Sequence, residues 1–210
     1  LKNYNNVKNL SLYLHFTLNT MPDYLLQLDR HLFHIINHDF GNAFFDMLMP
    51  ILRNRLVWIP LYVFIFIFCL WRYKAQGAVI IILLALTFGV ADSGSAGLGK
   101  SFYKRVRPCN DPAMTATVVS RIPCGTGYSF PSAHASNHFA IAVFLSMVFY
   151  KRYKWVLPAT LLWAAAISFA QVYVGVHYPI DVTAGAIYGT LVGLLFGWIF
   201  WKYWPIFKLS

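Results

Sequence analysis

The chain has 210 residues, 17 Lys and Arg against 7 acidic residues, and a charged fraction of 11%, less than half the ~25% of an ordinary soluble domain. With 59% hydrophobic residues and a mean hydropathy of +0.56, disorder is excluded. The net charge of +10 has too little polar surface around it to form a nucleic-acid-binding face, which leaves an all-α integral membrane protein.

In chain order, residues 1–21 lack the basic, apolar and small-residue succession of a cleavable signal peptide, and the run 10–18 is too short to span a bilayer. From 22 to 52, Leu25, Leu28, Leu32, Ile35 and Ile36 recur at helical spacing, with Asp23, Arg30, His34 and Asn37 between them. That pattern predicts an amphipathic helix lying in the membrane interface, followed after Gly41 by a second short one. His31, His34 and His38 share one face of the first helix, and its solvated side accounts for them better than a metal does. Five apolar stretches follow at 56–71, 77–97, 132–149, 155–173 and 180–201, each near the roughly 20 residues of a membrane helix. Trp58, Trp71, Trp155, Trp198, Trp201 and Trp204 sit near their ends, as interfacial aromatics do. The organisation is therefore a tail with interfacial helices over 1–55, a transmembrane domain over 56–204 and a short tail over 205–210.

Arg72, Lys74, Lys151, Arg152, Lys154, Lys202 and Lys208 fall on one side of these spans, where there is no acid, and this makes that side cytoplasmic. All seven acids are aspartates and lie on the other side. Cys109 and Cys124 share the external loop between the second and third spans. In an oxidising compartment they can close a 15-residue ring, worth about 3 kcal/mol in the chain-entropy model. Cys69, within a span, reads as a small buried hydrophobe. Asp92, Ser93 and Ser95, inside the second span, read as hydrogen-bonding support. Gly185, Gly189, Gly193 and Gly197 form a stripe that packs the fifth span closely on a neighbour.

Three polar clusters interrupt this apolar chain, all on the external face. Lys100 precedes Arg107-Pro108 by seven positions, Pro131-Ser132-Ala133-His134 opens the third span, and Gln171, His177 and Asp181 straddle the turn between the fourth and fifth. Arg presents a fork to two phosphate oxygens, whereas Lys is a point charge. Pro131 starts a helix whose first N–H groups point outward, a ready anion site, with His134 in the first turn. Asp181 is four residues past His177 and can hold one imidazole nitrogen, leaving the other free to attack or to shuttle a proton. His138, one turn past His134, reads as a supporting contact. Without Glu, a Cys/His ligand pair or an acidic cluster, no metal and no cofactor are expected.

These residues resemble the type 2 phosphatidic acid phosphatase (PAP2) superfamily, whose motifs K-x6-RP, PSGH and SR-x5-H-x3-D match Lys100…Arg107-Pro108, Pro131-Ser132-Ala133-His134 and Ala170-Gln171…His177…Asp181 in order and spacing. The resemblance implies a metal-independent phosphatase. His177 would attack phosphorus to form a phosphohistidine, Asp181 would orient it, and His134 would protonate the leaving oxygen. Lys100, Arg107, Ser132 and the backbone at Ala133, with Gln171, would hold the phosphoryl oxygens. The implied substrate is a lipid phosphate or pyrophosphate in the bilayer: undecaprenyl pyrophosphate, favoured slightly by the compact chain, phosphatidylglycerophosphate, phosphatidic acid or lipid A 1-phosphate. The site would face the periplasm from a bacterial-type inner membrane. Three positions depart from the motifs, Ala170 standing for Ser among them. Ala133 stands for Gly and keeps its N–H, whereas Gln171 stands for Arg, losing a charged donor worth about 1.5–3 kcal/mol. Either another cation compensates, Arg105 and Arg121 being the candidates, or the site is a weakened lipid-phosphate binder. Transfer to a lipid hydroxyl in place of water is the remaining alternative.

Overall fold

The computed structural model describes residues 22–99, 103–114 and 116–204, and every regular element among them is helical. Helix α1 (Asp23–His34) runs into a π-helical turn (Ile35–Asp39), and α2 (Ala43–Leu52) follows. The break comes at Gly41, and the Asn42 side chain then caps α2 by accepting from Phe45 N at 3.0 Å, satisfying one orphan donor of the first turn. Leu28 and Leu32 of α1 face outward, 51% and 40% exposed, as an interfacial helix requires. The opposite strip is not solvated: Asp29, Phe33 and Asn37 are buried against the protein. Asn37 ties the turn down by donating to Val119 O (2.9 Å) and Tyr173 O (2.8 Å) and accepting from Val119 N (2.8 Å).

Among the described residues, three helical segments are long and apolar enough to cross a membrane: Arg55–Gly97, Val156–Tyr173 and Pro179–Tyr203. The first contains helix α3 (Ile59–Gly94), which breaks at Lys74 (φ 50°, ψ −121°). In a straight helix Cys69 and Gly77 would be about 12 Å apart. Here a Cβ on Gly77 would lie 2.0 Å from Cys69 O, so the chain doubles back. The two arms correspond to the first two expected spans. Helix α4 (Ala133–Phe149) is the third, a shorter apolar helix of 17 residues buried nearly throughout. Helices α5 (Val156–Tyr173) and α6 (Pro179–Tyr203) complete the set.

Helix α4 is the axis of the bundle, and α6 packs on it through the predicted glycine stripe. A Cβ on Gly185 would come within 2.4 Å of Ser132 O, and one on Gly189 within 2.1 Å of Ser136 O, closer than any side chain allows. Cys69, Ile80, Phe144, Val148 and Phe200 form the largest buried cluster, drawn from α3, α4 and α6. Ser136 Oγ and Asn137 of α4 bond Ala91 O (3.2 Å) and Asp92 (2.8 Å) of α3, so Asp92 supports helix pairing. The turns carrying Lys74, Lys151, Arg152 and Lys154, and the α6 end with Lys202, lie at one end of the helices. The starts of α4 and α6 and the end of α5 lie at the other, under the 103–132 loop, in which Cys109 and Cys124 are disulfide-bonded.

Candidate active site

At this end a cavity of about 260 Å³ is lined by Arg53, Arg107, Pro123, Gly125, Ala133, His134, Gln171, Val176 and His177. His177 lies in the turn between α5 and α6 and is almost fully buried. Its Nε2 is 3.3 Å from a guanidinium nitrogen of Arg107, which also donates to Val176 O at 3.2 Å. Nε2 accepts from Arg107 only when it carries the lone pair, which assigns the proton to Nδ1. Nδ1 faces Asp181 Oδ2 at 3.6 Å, longer than an ordinary hydrogen bond. Burial holds the His177 pKa below its ordinary value, against the opposing pull of Asp181, a shift that favours the neutral imidazole, the form whose lone pair can attack.

Asp181, at the third residue of α6, is fully buried and closely held. Oδ2 accepts from Tyr178 N (2.8 Å) and Oδ1 from Arg105 (2.8 Å). Arg105 also bonds Asp29 of α1, whose other oxygen accepts from Ile180 N (2.8 Å). The guanidinium lies 3.8 Å from the Tyr178 ring centroid. Burial disfavours its charge, yet the two carboxylates together hold its pKa above the ordinary value. The order His177–Asp181–Arg105–Asp29 thus ties the nucleophile candidate to an interfacial helix about 150 residues earlier in sequence. Arg105 is therefore not a spare cation for the cavity, in correction of the sequence expectation: two aspartates engage it.

Arg121 is likewise committed elsewhere. It pairs with Asp46, donates to Asn37 O (2.7 Å) and Tyr173 O (2.9 Å), and lies 4.0 Å from the Tyr173 ring centroid. Ser132 caps α4, its Oγ accepting from Ala135 N at 3.5 Å while its N–H donates to Asp181 O at 2.9 Å. It fixes the helix start and does not line the cavity. Ala133 and His134, the first two residues of α4, do line it. His138 reaches back to His134 O at 2.8 Å, its ring parallel to that of His134 and edge-on to Trp163. Gln171 is 0% exposed, lines the cavity, and has no hydrogen-bond partner for either amide atom among the described residues. Lys100 lies outside the described residues. His34, His38 and Asp39 form a separate group on the surface, with possible ligand atoms within 4.8 Å of one another; His31 is not part of it.

Sequence reasoning missed Arg53 and Asp29. Arg53 reaches the cavity from the end of α2, and only tertiary packing brings it there. Asp29 shares a helical strip with Phe33 and Asn37, a faint signal that the leucine face outweighed.

A family model described as the PAP2 superfamily matches residues 78–205, which span the cavity-lining motifs. The chain belongs to the PAP2 superfamily. A lipid A 4'-phosphatase of Bacteroides thetaiotaomicron is 32% identical over 85% of this chain and 80% of its own length. An undecaprenyl-diphosphatase of Sulfolobus acidocaldarius is 32% identical over 78% of this chain and 74% of its own. The crystal structure of a transmembrane PAP2-type phosphatidylglycerolphosphate phosphatase from Bacillus subtilis superposes with a TM-score of 0.71 at 21% identity, covering 93% of this chain and 94% of that one. As a PAP2 protein the chain is a lipid phosphatase of the hydrolase class. Its cavity brings together Arg107, His134, Gln171 and His177, residues separated by up to 70 positions in sequence.

Proposed function

We propose that this PAP2 protein hydrolyses the phosphate monoester of a lipid A-type glycolipid through a phosphohistidine at His177. The observation that carries the reading is the placement of His177: Nε2 beside Arg107 at the cavity and Nδ1 toward a buried, clamped carboxylate. The Nε2 lone pair attacks phosphorus while the bond from phosphorus to the lipid oxygen breaks, and His134, charged by a proton taken from water when the phosphate dianion binds beside it, gives that proton to the lipid oxygen. Asp181 steadies the imidazolium that forms. Water then attacks phosphorus, His134 takes its proton, the P–N bond breaks, and inorganic phosphate leaves with the site restored. Arg107 and the first N–H groups of α4 meet the charge on the phosphoryl oxygens. No carboxylate or thiolate lines the cavity among the described residues, while two guanidiniums do, a set suited to anions and ill suited to a divalent cation.

A lipid substrate is supported by an apolar groove of about 450 Å³ between α3, α4 and α5, lined by Phe64, Phe68, Leu145, Phe149 and Trp163 among others. Trp163, at one end of the groove, also touches His138, which is bonded to His134 O, while the other end reaches Tyr153 and Trp155 beside the cation-bearing turn. The lipid A class rests on the Bacteroides relative and on a Porphyromonas gingivalis lipid A 4'-phosphatase, 25% identical over 81% of this chain and 72% of its own length. A periplasmic cavity in a bacterial-type inner membrane is supported by the cation-rich opposite end of the bundle, the end that the positive-inside rule turns toward the cytoplasm.

The test is phosphate release from a panel of lipid A, undecaprenyl diphosphate, phosphatidylglycerophosphate and phosphatidic acid, with wild type and His177→Ala. Lipid A is expected to be the preferred substrate, His177→Ala inactive, and chelators without effect. Preference for undecaprenyl diphosphate would overturn the substrate class. Full activity in His177→Ala would falsify the mechanism.

A further inference from the structure

We propose that Arg53 is a phosphate-binding residue of this site, supplying the guanidinium that the family motif places at position 171. The proposal rests on the reading that the cavity receives a phosphoryl group. Gln171 is a buried, uncharged side chain at the cavity wall, its amide unpartnered among the described residues. It can donate a hydrogen bond to a phosphoryl oxygen but cannot offset charge. The two cations that sequence offered as substitutes are committed elsewhere, Arg105 to Asp29 and Asp181 and Arg121 to Asp46. Arg53 lines the same wall as Arg107, His134 and His177, and its Nε is buried without a partner, as is that of Arg107.

The fold places Arg53 there for identifiable reasons. It ends α2, its N–H donating to Met49 O at 3.2 Å. Met49 packs with Tyr173, Val174 and Val176, at the end of α5 and in the turn before α6. Asp46, one turn earlier on α2, accepts from Tyr173 Oη at 2.6 Å and pairs with Arg121. Beyond Arg53, Trp58 Nε1 donates to Leu52 O at 2.7 Å and Asn54 Oδ1 accepts from Leu56 N at 3.0 Å. The backbone at Arg53 is therefore fixed from both sides against the α5 end that carries Gln171.

Two guanidiniums in one cavity repel each other, and no carboxylate lines the wall among the described residues to offset them. Burial lowers the pKa of each, and the charge of Arg107 lowers that of Arg53 further. A phosphoryl dianion relieves this repulsion and gives both forks their acceptors. The sequence deviation at 171 and the unexplained arginine at 53 thus account for each other: the charge has moved from α5 to α2.

The experiment measures orthovanadate binding by calorimetry, together with kcat and KM for lipid phosphate release. It uses wild type, Arg53→Ala, Arg53→Gln and Arg53→Ala/Gln171→Arg, with thermal unfolding of each. Losing one charge-assisted contact is expected to weaken both orthovanadate binding and kcat/KM by about 10- to 100-fold at unchanged Tm, with the double variant regaining at least about tenfold. Arg53→Gln keeps the side-chain bulk should the alanine variant fail to fold. Orthovanadate binding within about threefold of wild type in a folded Arg53 variant overturns the assignment, as does a wild type that binds no orthovanadate. If wild type binds orthovanadate, loses it on Arg53 replacement and yet releases no phosphate from any lipid, the assignment stands and the phosphatase reading falls.

Discussion

Replacing Arg105 by Met tests how far the catalytic geometry depends on the interfacial helix. Arg105 is 8% exposed and bonds two carboxylates that are fully buried. Its loss leaves Asp29 with Ile180 N and Asp181 with Tyr178 N and the 3.6 Å approach of His177. Breaking a buried ion pair by removing one partner costs about 3–5 kcal/mol. For a chain of this size each kcal/mol shifts Tm by about 2–4 °C, so Arg105→Met is expected to melt about 6–20 °C below wild type in detergent micelles. Burial raises the Asp29 pKa even with Arg105 present, and in the variant that carboxyl meets the loss by taking a proton. A raised folded-state pKa contributes stability at low pH that is lost as pH rises, so the deficit should be larger at pH 8 than at pH 5. Asp29→Asn added to Arg105→Met should restore part of the loss, because one fewer carboxylate is orphaned. In phosphate-release assays below the melting range, kcat should fall more than KM changes, since Asp181 loses its clamp. A variant that melts within about 2 °C of wild type, or two replacements whose costs simply add, would refute the linkage.

Two further outcomes follow from the same geometry. Gly189→Leu forces a Cβ to within 2.1 Å of Ser136 O; it should separate α6 from α4 and abolish folded, detergent-stable protein, whereas Gly89→Leu, with open space around it, should not, as size-exclusion profiles will report. The attacking form of His177 is the neutral one and its pKa is lowered by burial, so the acid limb of kcat/KM should lie below the ~6.5 of free imidazole. Asp181→Asn removes a group that favours the imidazolium and should move that limb lower still while depressing kcat; a limb centred above ~6.5 in wild type would contradict the assignment.

Much of this protein is legible in its sequence because a membrane imposes simple rules. Apolar runs bounded by Arg72 and Lys74, or by Lys151, Arg152 and Lys154, mark helices and turns directly, and the glycine stripe of α6 announces close packing before any neighbour is known. Arg107, His134 and His177 are up to 70 positions apart, and they can be grouped from the chain alone because the predicted spans put their clusters on one face and their three motifs resemble those of a known family. What sequence could not supply are contacts between elements distant in the chain. Asp29 and Arg105 are 76 residues apart, and in one dimension each looks like an ordinary interfacial charge. The leucines of α1 form its obvious apolar face, but in a bilayer setting an outward apolar face is satisfied by lipid, and the polar strip is then free to face the protein. Arg53 is hidden in the sequence for a related reason: after an apolar helix and two residues before Arg55, it has the sequence environment of a membrane anchor.

The central claim is a covalent bond between phosphorus and His177. Incubating the protein with ³²P-labelled lipid phosphate, quenching in alkali and measuring label on the polypeptide tests it most directly. Wild type should carry acid-labile, alkali-stable label that maps to His177, and His177→Ala should carry none. Turnover by wild type that leaves no such label under rapid quench, or equal labelling of His177→Ala, would contradict the account.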